Sequence, residues 1–68
     1  MNIKGKVVYN NLGTGFWGII TDDGKQYEPA NLPKKFQKEK EPISLKARES
    51  DSFSLFMWGT PIEIISIE

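Results

Sequence analysis

The sequence predicts a small all-β domain, an antiparallel barrel of five or six short strands, OB-like, with one short helical turn. Three observations carry that expectation. Short β-favouring runs recur between clusters of Gly, Asn, Asp and Pro. The run from Ile43 to Arg48 alternates strictly between apolar and polar residues. The one helical signal, around Leu32 and Phe36, has only two apolar members and cannot form a long amphipathic stripe. An SH3-like barrel, built from equally short strands, is the alternative.

The elements follow in order. Ile3 to Asn10 reads as a first strand, with β-favouring Val7, Val8 and Tyr9, and with Lys4 and Lys6 on one face. The segment from Asn10 to Gly15 is turn chemistry. Phe16 to Thr21 is the second strand, and Asp22-Asp23-Gly24 a hairpin turn into a third, Lys25 to Glu28. Pro29 stops that strand, because proline has no N–H for a ladder. Asn31 to Phe36 is the helical turn, with Pro33 in its first positions and Leu32 and Phe36 plugging one barrel end. Ile43 to Arg48 is the fourth strand, its Ile43, Leu45 and Ala47 pointing inward. Phe53 to Trp58 is a fifth, apolar on both faces, and Ile62 to Ile67 is the last. The alternation slips at Ile64-Ile65, which predicts a bulge or a strand covered on both sides.

Composition narrows the function. The 68 residues make one domain, spanning 1–68. With no Cys and no His, disulfides, thiolate chemistry, Cys-based zinc and the commonest general base are excluded. Nine Lys plus Arg balance nine Asp plus Glu, so no long-range charge draws the chain to nucleic acid or anionic membrane. No apolar run approaches the ~20 residues of a spanning helix. Met1 to Lys6 turns polar too early for a signal peptide, which leaves the cytoplasm as the default compartment.

Several motifs carry two readings. Gly13 to Gly18 fits the G-x-G-x-x-G nucleotide pattern, but it runs into a strand rather than a helix and reads as a turn. Asp22 with Asp23, or Glu28 with Asp51, have the chemistry for a hard cation, yet calcium needs more oxygens than an acidic turn offers. Serine and threonine have no His partner for a triad. Trp17 either packs under the helical turn or against Trp58, or lies outside as a stacking platform. Phe56 and Trp58 share one strand face, either covered or forming an apolar contact surface. Lys4 and Lys6, with Lys46 and Arg48, form either an ordinary solvated face or a phosphate-binding cluster across two neighbouring strands.

Gly5, Val7, Tyr9 and Asn10, then Gly15, Phe16, Gly18, Ile20, Asp23 and Gly24, resemble the opening strands of cold-shock domains, and Ile43 with Leu45 take the place of that family's fourth strand. The resemblance implies a barrel and single-stranded nucleic-acid binding. Against the family pattern, Trp17 is an extra residue, Ile19 replaces the second stacking aromatic, and Gln26-Tyr27-Glu28-Pro29 replaces a strand that carries Phe and His. The likeness therefore bears on the barrel more than on the ligand. The whole chain is also similar to a group of small prokaryotic proteins or domains sharing Gly15 to Ile19, Asp22 to Gly24, Tyr27, Asn31 to Pro33, Phe36 and Met57 to Gly59, a resemblance that implies no activity.

The expected function is a non-enzymatic binding module without a cofactor or metal. Its partner is single-stranded nucleic acid or a protein, a second copy included, with no membrane role. The candidate residues are Trp17, Tyr27, Phe56 and Trp58 as aromatics, and Lys4, Lys6, Lys46 and Arg48 as cations.

Overall fold

A computed structural model of the chain describes residues 1–11, 13, 15–50 and 58–68. The β-branched and aromatic runs within them become strands: β1 (Asn2–Asn10), β2 (Phe16–Thr21), β3 (Gln26–Pro29), β4 (Pro42–Glu49) and β5 (Thr60–Ile67). The expected strand from Phe53 to Trp58 falls, apart from Trp58, outside the described residues. The strands close into a barrel in the order β1-β2-β3-β5-β4, with β4 returning to β1. Four seams are antiparallel and one, β3 against β5, is parallel. Alternation cannot distinguish these, since it reports the face of a residue and not the direction of its neighbour. No helix among the described residues is long and apolar enough to cross a membrane.

The alternating positions fill the interior. Ile3 and Val7 of β1, Ile19 of β2, Ile43, Leu45 and Ala47 of β4 and Ile62 of β5 are buried. Each fully buried large aliphatic contributes about 1.5–3 kcal/mol of transfer free energy. Leu32 joins this core, and Phe36 packs against it from a single 3₁₀ turn, Lys34–Phe36. The turn is short because Pro33 precedes it and Gln37 ends it, the Gln37 N–H donating to the Lys34 carbonyl at 3.0 Å. Leu32 and Phe36 thus both reach the core from this one short segment.

Two local features fix how the strands bend. Gly5 is buried where β1 crosses β2, and a Cβ there would lie 2.7 Å from the Thr21 Cα. Only glycine lets the two backbones approach so closely. On β5, Lys46 pairs with Ser66 but Ala47 pairs with Ile64, so Ile65 is passed over. This is the bulge that the Ile64-Ile65 slip predicts, and it leaves Ile65 63% exposed. Beyond Pro29 the parallel seam continues through a side chain. The Asn31 amide donates to the Ile64 carbonyl at 3.1 Å and accepts the Ile64 N–H at 2.9 Å.

Candidate functional site

The outer face of β1 and β2 is set by their register. Asn10 lies opposite Phe16, Val8 opposite Gly18 and Lys6 opposite Ile20. Inward positions alternate with these, so Phe16, Gly18 and Ile20 point away from the core that Ile19 enters. Gly18 has no side chain, and the six-membered ring of Trp58 occupies the vacated space, 2.7 Å at Cη2 from where a Cβ would stand. Phe16 meets that indole edge to face, with ring centroids 5.6 Å apart and planes at 71°. Phe16 and Trp58 are each half-buried and form an aromatic pair on the barrel exterior.

Glu28 holds this pair in place. Continuing the β2–β3 register by one residue sets Glu28 level with Gly18. One of its carboxylate oxygens accepts the main-chain N–H of Trp58 at 2.9 Å and of Gly59 at 2.7 Å. A carboxylate taking two backbone N–H groups makes strong, charge-assisted bonds. The carboxylate considered as a cation ligand is thus an anchor for Trp58. Among the described residues, no group of three or more His, Cys, Asp or Glu could hold a metal ion.

Trp17 and Tyr27 sit on the other side of the sheet. Both share the inward side with Ile19, and both are half-buried and packed against the core. Trp17 also meets Tyr9 edge to face, with centroids 5.0 Å apart. Tyr9 is 44% exposed and stands directly opposite Trp17 near the turn end of the β1–β2 ladder. The two aromatics predicted on the central hairpin therefore fill and cap the barrel. Phe56 lies outside the described residues. Phe16 and Glu28 are the candidate site residues that sequence reasoning missed. Phe16 carried a signal, since it shares a face with Gly18; Glu28 carried none, because its partners are backbone groups distant in sequence.

The cations divide. Asn2 pairs with Lys46 and Lys4 with Ser44, so Lys46 lies diagonal to Lys4 on the outer face, with Lys6 one same-face step further along β1. All three lysines are exposed, and none has an ion pair among the described residues. Arg48 lies beyond Asn2 and is tied to Glu63 of β5, its Nε donating to Oε1 at 2.7 Å. Among the described residues, the predicted cluster of four charges is thus three unpaired lysines and one paired arginine.

At the β2–β3 turn, the Thr21 hydroxyl donates to the Asp23 carboxylate, which holds its pKa below the ordinary aspartate value, with help from Lys25 at 4.0 Å. Gly24 takes φ +89° there, the left-handed position the hairpin needs. Gly13 and Gly15 also take positive φ, at 57° and 88°, and the chain then runs directly into β2, so the G-x-G-x-x-G string leads into a strand.

Comparison with protein-family models, with curated proteins and with solved structures returns no match.

Proposed function

We propose that the chain is a non-enzymatic binding module, an OB-type barrel that holds single-stranded nucleic acid on the outer face of β1 and β2. The strand order supports the OB reading: β1 pairs with both β2 and β4, β3 runs parallel to β5, and a short helical turn lies between β3 and β4. Barrels of this kind bind oligonucleotides across a sheet face and its neighbouring loops.

One observation carries the ligand class. Lys6 stands opposite Ile20, one same-face step from the Val8–Gly18 row on which the Trp58 ring rests. Aromatic rings and ammonium groups that are unpaired among the described residues thus lie side by side, the combination that a single strand needs for stacked bases and a phosphate chain. Stacking one base on such a ring contributes about 1–3 kcal/mol, and it tolerates any base. A neutral chain can do this because the three lysines are local and, among the described residues, without ion pairs.

The test is a titration of labelled single-stranded oligonucleotide at low and high salt, following tryptophan emission. Quenching is expected, with affinity falling along a log–log slope of about −2, the value for three phosphates on a single strand. Absence of quenching at low salt with micromolar protein overturns the reading.

A second reading, self-association, is favoured by a different surface. A groove of about 550 Å³ runs between the 3₁₀ turn and β5, lined by Pro33, Phe36, Ile64, Ile65 and Ile67, with Lys35 and Glu68 also on its walls. Those opposite charges suit a two-fold contact in which each Lys35 meets the other copy's Glu68. Sedimentation across a concentration series is expected to show a dimer that Ile65→Glu abolishes. A strict monomer removes this reading.

A further inference from the structure

We propose that Glu28 is the positioning residue of the aromatic platform and the border that orients the bound strand. The proposal rests on the single-strand reading above and deepens it. Two facts about Glu28 support it, one mechanical and one electrostatic.

Mechanically, Trp58 is not seated by its ring alone. Its own N–H and that of Gly59 converge on one Glu28 oxygen, while Gly59 approaches the Gln26 backbone so closely that a Cβ would fall 2.7 Å from the Gln26 carbonyl oxygen. The main chain at 58–59 is therefore pinned to β3 on two counts. The indole is left with its ring against Gly18 and its edge contact to Phe16. A platform fixed before the ligand arrives avoids the ordering cost of about 0.5–1.5 kcal/mol per immobilised side chain.

Electrostatically, the exposed lysines lie on the side of the platform away from Glu28. On the β1–β4 side stand Lys6, Lys4 and Lys46, exposed and without ion pairs among the described residues, with the Glu68 carboxylate accepting the Ser44 hydroxyl at 3.2 Å and the Glu39 carboxylate accepting the Tyr9 N–H at 2.9 Å on that same side. On the β3 side stands the Glu28 carboxylate, level with Gly18. A phosphate chain follows the lysines and avoids the carboxylate. The strand thus lies with its backbone over β1 and its bases turned toward Phe16 and Trp58. A duplex, which presents phosphates on both sides of its bases, meets the carboxylate and is disfavoured.

The experiment uses the full chain carrying Trp17→Phe, so that Trp58 is the sole indole. Glu28→Ala and Glu28→Gln are compared in that background, by acrylamide quenching and by titration with oligothymidylate at several salt concentrations. Glu28→Ala is expected to expose Trp58 to acrylamide and weaken binding about tenfold, a loss within the range of one stacked base, with the salt slope unchanged. Glu28→Gln keeps an oxygen acceptor for both N–H groups while removing the charge, so acrylamide protection and single-strand affinity are expected to stay with the parent while binding of a duplex oligonucleotide strengthens, and unchanged duplex binding overturns the border role. Binding by Glu28→Ala within about twofold of the parent overturns the positioning role. Tighter binding with a steeper slope in Glu28→Gln puts phosphates beside β3 and overturns the orientation, and this near-isosteric variant decides the question even where Glu28→Ala does not fold. A parent that does not quench at low salt overturns the single-strand reading itself, and the ligand role of Glu28 with it. Failure of the variants alone leaves that reading standing.

Discussion

Gly18 lies beneath the six-membered ring of Trp58, in a contact between residues forty positions apart in the chain. A methyl at position 18 would meet Cη2 at 2.7 Å, and because Glu28 holds the Trp58 main chain the indole yields only by rotating its ring off the sheet. Gly18→Ala is therefore expected to destabilise the fold by about 1–3 kcal/mol, the range for overpacking. With Trp17→Phe in the background, the emission of Trp58 should also shift to the red as the ring leaves the sheet. Urea unfolding and the native emission spectrum check this together. Unchanged stability with unchanged emission would mean that the ring does not rest there.

Gly5 and Gly24 separate two reasons for glycine. At Gly5 the obstacle is backbone. A methyl there would stand 2.7 Å from the Thr21 Cα, with the Ile20 carbonyl oxygen nearer still, so Gly5→Ala must push β1 off β2. At Gly24 nothing stands within 4 Å, and the obstacle is φ +89° alone. Gly24→Ala is expected to lose about 1–3 kcal/mol through backbone strain. Gly5→Ala should lose about 3 kcal/mol or more. A domain of this size has only about 3–10 kcal/mol in total, so Gly5→Ala approaches complete unfolding. Thermal melts of the two variants rank them, and the reverse order counts against the close β1–β2 crossing.

Much of the barrel was legible because its information is local. Ile43, Leu45 and Ala47 announce the inward face of β4 by alternation, and all three are buried. Asp22-Asp23-Gly24 announces its own turn, and the slip at Ile64-Ile65 announces the bulge that leaves Ile65 outside the ladder. The site was less legible because its contacts are distant and join unlike groups. Nothing in the pattern around Gly18 names Trp58 as its cover. The bond from Glu28 is to main-chain N–H groups, which every residue but proline carries, so no residue type marks the partner. Trp17 was the more conspicuous aromatic, yet its parity with Ile19 sends it toward the core. The lysines were found by their faces, while the pairing of Arg48 with Glu63 depends on the β4–β5 register, which the bulge resets.

Asp23 gives the fold an acid-side dependence. The Thr21 hydroxyl donates to its carboxylate, and Lys25 adds attraction, so the folded pKa lies below the unfolded one. The stabilisation is present above the unfolded value, near pH 4, and is lost as pH falls through the folded value. Thr21→Val removes the hydroxyl and is expected to return the Asp23 titration upward, toward the ordinary aspartate value. Carboxyl carbon shifts followed by NMR across the acid range measure this directly. An Asp23 midpoint that does not move in Thr21→Val would assign the depression to Lys25 instead.

The lysines and Arg48 should differ in what they do, although sequence places them in one patch. Lys4, Lys6 and Lys46 have no ion pair among the described residues, so each is available to a phosphate. Arg48 is engaged by Glu63, with side chains 69% and 47% exposed. A pair so open to water is expected to contribute at most about 1 kcal/mol, and to weaken with salt. Lys6→Ala should therefore reduce the salt slope of oligonucleotide binding by about 0.7, one phosphate's share on a single strand, and leave stability nearly unchanged. Arg48→Ala should leave the slope as it is and lower stability slightly, most visibly at low salt. The opposite pattern, a slope that follows Arg48 and ignores Lys6, would move the phosphate path away from Trp58 toward the β4–β5 seam. Salt titrations on the two variants beside the parent distinguish these paths, because Lys6 borders the aromatic pair and Arg48 lies beyond Asn2, at the far end of the β1–β4 ladder.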